Sequence, residues 1–198
     1  MRSKNKISIF LITIMLIPFT SSLSKIGGDF SGGLNVGMRG SGIFVAYSYR
    51  PSDTFGYGVE MRFFDLRASD EIVVYDYYTG TYKTKNQISL VMLPLLANVT
   101  YYPFVGKIAN NFSPFVRLKG GPLIVLDGDE DINNYFDRWS KPKTHVTMGG
   151  NIEFGVLFRM QGNVSFAVGL GYDIFPMPEM IDGRKDYNGL IIEFTFLR

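Results

Sequence analysis

From residue 30 onward the chain alternates between apolar and polar or small residues with a period of two. Phe30, Gly32, Leu34, Val36 and Met38 point one way, and Ser31, Gly33, Asn35, Gly37 and Arg39 the other. Ile43, Val45, Tyr47 and Tyr49 stand against Ala46, Ser48 and Arg50; Tyr57, Val59, Met61 and Phe63 stand against Gly58, Glu60 and Arg62. The pattern returns over residues 146–158, 164–174 and 190–196. Period two is the signature of a strand with two unlike faces, whereas a helix would repeat near 3.6. Two strands are less regular. Ile88 to Tyr102 is apolar on both faces in its first half and contains Pro94, which cannot donate to a ladder, so a bulge or a reversal of facing is expected there. Phe115 to Leu126 sets Val116, Leu118 and Gly120 against Arg117 and Lys119.

These runs approach the roughly ten residues that a tilted membrane-crossing strand needs, where ordinary globular strands centre near five or six. Eight are counted. The links after the second and sixth strands are short, and those after the third, fifth and seventh (66–86, 127–144 and 175–188) are long and polar. The implied fold class is all-β: an eight-stranded antiparallel up-and-down transmembrane β-barrel. Closure satisfies every backbone donor and acceptor, which an open sheet in hydrocarbon cannot do. The face of Val, Ile, Leu, Phe and Met would meet lipid, and the glycine, serine, asparagine and charged face the lumen. An eight-stranded barrel has room only for its own side chains, so the lumen is expected to be plugged.

The expected inward charges are Arg39, Arg62, Arg117 and Lys119 against Glu60, Glu153, Asp173 and Glu193. Charges in a dry interior must be paired, so these should form one ion-pair and hydrogen-bond network of structural purpose. Tyr47, Tyr49, Phe55, Tyr57, Tyr101, Tyr102, Phe158, Tyr172 and Phe196 fall near strand ends, as aromatic belts at both membrane interfaces require. Residues 71–85 read as a hairpin beyond the membrane, turning near Thr79-Gly80, with Tyr75, Tyr77, Tyr78 and Tyr82 as contact candidates.

Arg2, Lys4 and Lys6 precede the apolar stretch Ile7 to Phe19 and the small residues Thr20 to Ser24. That order reads as a helical signal peptide over residues 1–24, cut after Ser22 or Ser24, ahead of a barrel over 25–198. The apolar stretch is too short for the roughly 20 residues of a spanning helix, and Pro18 interrupts it.

Composition fits this reading. Aromatics reach 15%, with 17 Phe and 12 Tyr, and charged residues 19%, below the roughly 25% usual for soluble domains. A net charge of +2 without a basic run points away from nucleic acid. The absence of cysteine excludes disulfides, thiolate metal sites and a lipidated N-terminal cysteine. No cofactor, metal site or catalytic residue is expected. The single histidine, His145, has Thr147 at the next position on its face, yet lacks the His-x-Ser arrangement of lipid-modifying barrels. Asp127, Asp129, Asp131 and Asn133 have the spacing of a calcium loop but put Ile132 and Arg138 where an EF-hand needs glycine and glutamate, and read as a solvated loop.

The leader, Leu93-Pro94-Leu95-Leu96-Ala97 running to Tyr101-Tyr102, Gly120-Gly121-Pro122, Val168-Gly169-Leu170-Gly171-Tyr172 and the closing Phe194-Thr195-Phe196 resemble the small bacterial outer-membrane barrel families, of OmpA/OmpX shape or the PorT-like "outer membrane protein beta-barrel domain" group. The resemblance implies a place in the bacterial outer membrane with both termini periplasmic. Its implied partners are outer-membrane lipid and lipopolysaccharide, and the barrel-assembly machinery that reads an aromatic near the last strand's end; it implies a monomer. The chain departs from the common form by ending on Leu197-Arg198, with Phe196 in the aromatic's place. Such families host unrelated roles. The leading expectation is a non-enzymatic barrel with a structural or surface-interaction role, against a narrow channel or carrier for small hydrophobic molecules, and a lipid-modifying enzyme at His145.

Overall fold

The computed structural model describes residues 28–66, 72–78, 80–85, 90–105, 107–108, 111–128, 142–160, 164–181 and 184–198. The expected leader, the Asp129–Asn133 part of the acidic loop and the Tyr82 side chain lie outside them. Eight antiparallel strands close a barrel: β1 (Gly28–Gly37), β2 (Gly40–Tyr49), β3 (Phe55–Leu66), β6 (Leu90–Tyr101), β7 (Phe112–Asp127), β8 (Lys143–Arg159), β9 (Ser165–Ile174) and β12 (Gly189–Leu197). Each pairs with its neighbours in sequence among these eight, and β1 closes on β12 through Ser31↔Leu197 to Gly37↔Ile191. Two hairpins stand beyond it at the loop end. β4 (Ile72–Asp76) and β5 (Thr81–Lys85) turn at Gly80, whose φ of 65° lies in the left-handed region that glycine tolerates. β10 (Pro176–Ile181) and β11 (Arg184–Asp186) form the second, within a stretch the sequence presented only as a long polar link.

Alternation sets the facing of every barrel strand. Leu34, Val45, Met61, Leu95, Leu118, Phe154, Leu170 and Ile192 are exposed around the whole circumference, while their chain neighbours Asn35, Phe44, Glu60, Arg62, Leu96, Arg117, Lys119, Glu153 and Glu193 are buried. The barrel is therefore apolar outside and charged within, the reverse of a soluble protein.

Two expectations fail here. Neither a bulge nor a reversal occurs at Pro94. The ladder to β3 omits the positions of Leu93 and Pro94 and resumes in the same register, with Met61↔Leu95 and Phe64↔Met92 in step. Leu90, Met92, Pro94, Leu96 and Asn98 all remain on the buried face. The inner face is also far less polar than its sequence pattern suggests. Phe64, Leu66, Leu90, Met92, Leu123, Val125 and Ile191 point inward at the loop end and pack with Phe175, Ile181 and Tyr187 from the β10–β11 segment.

The aromatics are unevenly divided. At the end carrying the termini, Tyr49, Phe55, Tyr57, Tyr101, Phe112, Phe158 and Phe196 face outward, with Phe55–Tyr101 and Phe112–Phe158 ring centroids 5.0 and 5.7 Å apart. At the loop end only Phe63 and Tyr172 face outward among the described barrel aromatics. Tyr102 turns inward against Phe115 instead of joining a belt.

Candidate functional site

Charged side chains converge halfway along the lumen because strand phase aims them all inward at one level. Glu60 and Arg62 come from β3, Arg117 and Lys119 from β7, Glu153 from β8, Asp173 from β9 and Glu193 from β12. Arg62 is the hub on one side. Its Nε donates to Glu60 Oε1, its Nη1 reaches Asp173 Oδ1 at 3.2 Å, and its Nη2 reaches Glu193 Oε2 at 2.9 Å. β3 and β9 lie opposite each other in the barrel order, so the Arg62–Asp173 contact spans the lumen.

Lys119 is the second hub. Its Nζ lies 2.8 Å from Glu60 Oε2, 3.0 Å from Glu153 Oε2 and 2.7 Å from Glu193 Oε2. Arg117 Nη1 contacts Glu153 Oε2 and Glu193 Oε1, each at 3.3 Å, and its Nε donates to Thr100 Oγ1 at 3.0 Å. Asn151 Nδ2 donates to Asp173 Oδ1 at 2.7 Å. The Arg62–Asp173, Arg62–Glu193, Lys119–Glu60, Lys119–Glu193 and Arg117–Glu193 pairs join strands that share no ladder, so they brace the barrel across its axis. Charge-assisted hydrogen bonds of this kind are stronger than neutral ones, and inside a low-dielectric lumen each carboxylate relies on its cation.

Seven of the eight charged residues expected in the lumen meet in this cluster; Arg39 does not. It lies past the end of β1, at the mouth, and its Nε donates to Asn188 O at 3.1 Å, because the chain turns at Met38-Arg39 and the period-two count cannot be carried through a turn.

Gly169 makes room for the cluster. A Cβ there would lie 2.0 Å from Glu153 Oε1 and 2.7 Å from its Cδ. Glu153 could retreat only by giving up Lys119 and Arg117. Gly169→Ala should therefore cost about 1–3 kcal/mol, the usual range for overpacking, seen as a lower urea midpoint for loss of the folded barrel. A midpoint unchanged from the parent would show that Glu153 is not held in place.

Apolar layers lie on either side of the charges. Towards the loop end is the packed cluster already described, with a void of only about 20 Å³ near Arg39 and Phe64. Towards the termini Tyr102, Phe115, Leu157 and Ala167 form a smaller layer beside a cavity of about 250 Å³. His145 sits on β8 at the loop end, where Nδ1 contacts Glu179 Oε1 of β10 at 3.0 Å; this ties the β10–β11 hairpin to the barrel wall. The hairpin is also held by Tyr187 Oη donating to Ile181 O at 3.3 Å and Phe175 N donating to Asn188 Oδ1 at 2.7 Å. No group of three or more metal-ligating side chains occurs among the described residues.

On the β4–β5 hairpin, Tyr75, Tyr77 and Tyr78 are exposed, and the Tyr75 and Tyr77 rings meet edge to face at 5.1 Å. Tyr82 pairs with Tyr75 in the ladder.

No protein-family profile and no curated protein matches the sequence. Solved structures do match. Neisserial surface protein A shares 10% identity over 86% of this chain and 92% of its own, with a TM-score of 0.56. The attachment invasion locus protein Ail of Yersinia pestis shares 9% over 86% and 96%, with a TM-score of 0.49. The outer membrane protein OprG of Pseudomonas aeruginosa shares 15% over 86% and 93%, with a TM-score of 0.48. The likeness to the Neisserial protein spans nearly the whole of both chains, and at 10% identity it establishes a shared fold, a small closed β-barrel.

Proposed function

We propose that this chain is an integral outer-membrane barrel whose lumen is closed by its own side chains, and whose role is structural or one of surface contact through its loops. The observation that carries the reading is the inverted surface. A continuous girdle of aliphatic and aromatic side chains surrounds a wall whose interior holds three cations and four carboxylates among the described residues. Soluble monomers rarely expose apolar patches beyond a few hundred Å². Acyl chains are the solvent that such a girdle suits, and the dense aromatic ring at one end suits an interface.

Under this reading residues 1–24 are a leader removed on export, and the mature chain begins near residue 25. Both termini lie at the periplasmic mouth and the two hairpins face outward. Outer-membrane lipid and lipopolysaccharide surround a monomeric barrel, inserted by machinery that reads Phe196 near the end of the last strand. Contact is made through the β4–β5 hairpin, where Tyr75, Tyr77 and Tyr78 offer rigid amphipathic surface at low entropic cost. The packed loop-end layer and its very small void favour a closed lumen over a channel. The role is non-enzymatic: His145 is committed to Glu179 and serves to anchor the hairpin.

The test is fractionation of cells expressing the full chain, followed by gel electrophoresis of unheated and boiled detergent samples. Recovery with outer membranes, and a change in mobility on boiling, are the expected results. Recovery in the soluble periplasmic extract would overturn the reading.

A further inference from the structure

The cavity of about 250 Å³ at the terminal mouth has a chemical character unlike the rest of the lumen. Its charged side chains are those of Arg50, Arg117, Arg159 and Arg198 against the one acidic side chain of Asp29. Two of these guanidinium groups, those of Arg50 and Arg117, are held in place by contacts of their own. Arg50 is held over the Tyr102 ring at 4.0 Å while its Nε and Nη2 donate to the backbone oxygens of Ser52 and Asp53, so the β2–β3 turn fixes its position. Arg159 closes β8, its backbone N donating to Asn111 O at 3.0 Å. Its guanidinium makes no hydrogen bond or ion pair among the described residues.

Arg117 forms the inner limit. Its side chain keeps 11% of its surface accessible, where those of Arg62 and Lys119 keep none. Nε and Nη1 are committed to Thr100 and to the carboxylates of the inner cluster, and among the described residues Nη2 donates to none. The cavity thus joins the mouth to a nine-tenths buried arginine with donor capacity to spare.

We propose that this vestibule binds the phosphate group of a small phosphate ester. Guanidinium forks match the oxygens of a phosphate, and several converging on one semi-enclosed space raise the local concentration of anions. The volume falls just below the roughly 300–1,000 Å³ of drug-sized ligand sites, which suits a phosphate carrying a few carbons. Tyr102 and Leu157 supply an apolar wall for that remainder. The site opens on the side of the termini, because the loop end offers only about 20 Å³. Such a phosphate has two sources, a free monoester solute or the phosphodiester of a phospholipid headgroup reaching in from the rim.

The experiment uses the full chain folded in detergent at low salt, with glycerol 3-phosphate as the probe in a calorimetric titration. Arg159→Gln and Arg50→Gln/Arg159→Gln leave the inner cluster intact, and Lys185→Gln, on the exposed hairpin at the opposite end, is the control. The mobility change on boiling reports that each variant is folded. A parallel arm places the same proteins in nanodiscs of phosphatidylglycerol or phosphatidylcholine and reads retained lipid by native mass spectrometry. Saturable binding of the probe that weakens about tenfold or more in the double variant, but not in Lys185→Gln, supports the site with a free solute; tenfold corresponds to about 1.4 kcal/mol. Phosphatidylglycerol retained by the parent and lost from the double variant supports the same site with a lipid headgroup. The proposal fails if neither arm shows binding, or if the parent and the double variant bind alike.

Discussion

Arg62→Met is expected to lower the stability of the folded barrel by about 3–5 kcal/mol, the range for removing one partner of a buried charge network. Methionine keeps much of the arginine volume, so the loss reports charge and hydrogen bonding more than a cavity. Arg62 is fully buried and serves Glu60, Asp173 and Glu193 at once. Its loss leaves four carboxylates sharing Lys119 and Arg117. Asp173 fares worst, because Arg62 is its ion-pair partner among the described residues and the Asn151 amide alone would remain. With total stabilities near 5–15 kcal/mol, a loss of this size would be visible as a large drop in the urea concentration at which the compact, fast-migrating form disappears. Arg62→Met/Asp173→Asn should recover part of it, because the second change removes the stranded carboxylate, and the double-mutant cycle reads their coupling. A single variant within about 1 kcal/mol of the parent would mean that the cluster is hydrated and does not brace the barrel.

Much of this architecture was legible because one rule, period two, governs nearly the whole chain. Once the phase of β7 is set by Leu118 facing out, Arg117 and Lys119 must face in, and the same logic places Glu60, Glu153, Asp173 and Glu193. The rule weakens where both faces are apolar. Leu90 to Leu96 carries no polar residue to mark its inner face, and Pro94 reads as a break although the ladder passes the missing donor without a change of register. It also stops at turns, which is why alternation points Arg39 into the lumen although it lies at the mouth.

The β10–β11 hairpin was illegible for a different reason. Pro-Met-Pro-Glu-Met-Ile has no clean alternation, and its order comes from tertiary contacts: Ile181 and Tyr187 entering the mouth, and His145 meeting Glu179. Nor could alternation distinguish a polar lumen from a layered one. Which inward positions sit at which depth depends on strand stagger around the barrel, and only the closed register reveals that the charges share one level while Phe64, Leu90 and Leu123 stack above them. The vestibule is illegible in the sequence on the same ground, since Arg50, Arg159 and Arg198 each read as an ordinary strand-end cation.

The outer face supports the sharpest test of what solvent this barrel is built for. Leu170→Arg, at mid-height on β9, replaces a side chain that is 55% exposed between Phe154 of β8 and Ile192 of β12. In water such a change on a strand's open face falls within about 0.5 kcal/mol, because the new charge is solvated and little packing is lost. In a bilayer the guanidinium would sit near the hydrocarbon midplane, where arginine on the lipid face of a barrel costs about 2–4 kcal/mol. The same substitution at Met38, 71% exposed in the loop-end turn, would lie where headgroups and water can reach, and should cost no more than about 1 kcal/mol. Depth dependence is therefore the signature: folding into phosphatidylcholine vesicles, followed by urea titration, should rank Leu170→Arg well below Met38→Arg. Equal and small effects at both positions would mean that the aliphatic girdle meets water or another protein surface. The inverted arrangement of charge and hydrocarbon would then need a different explanation from a membrane.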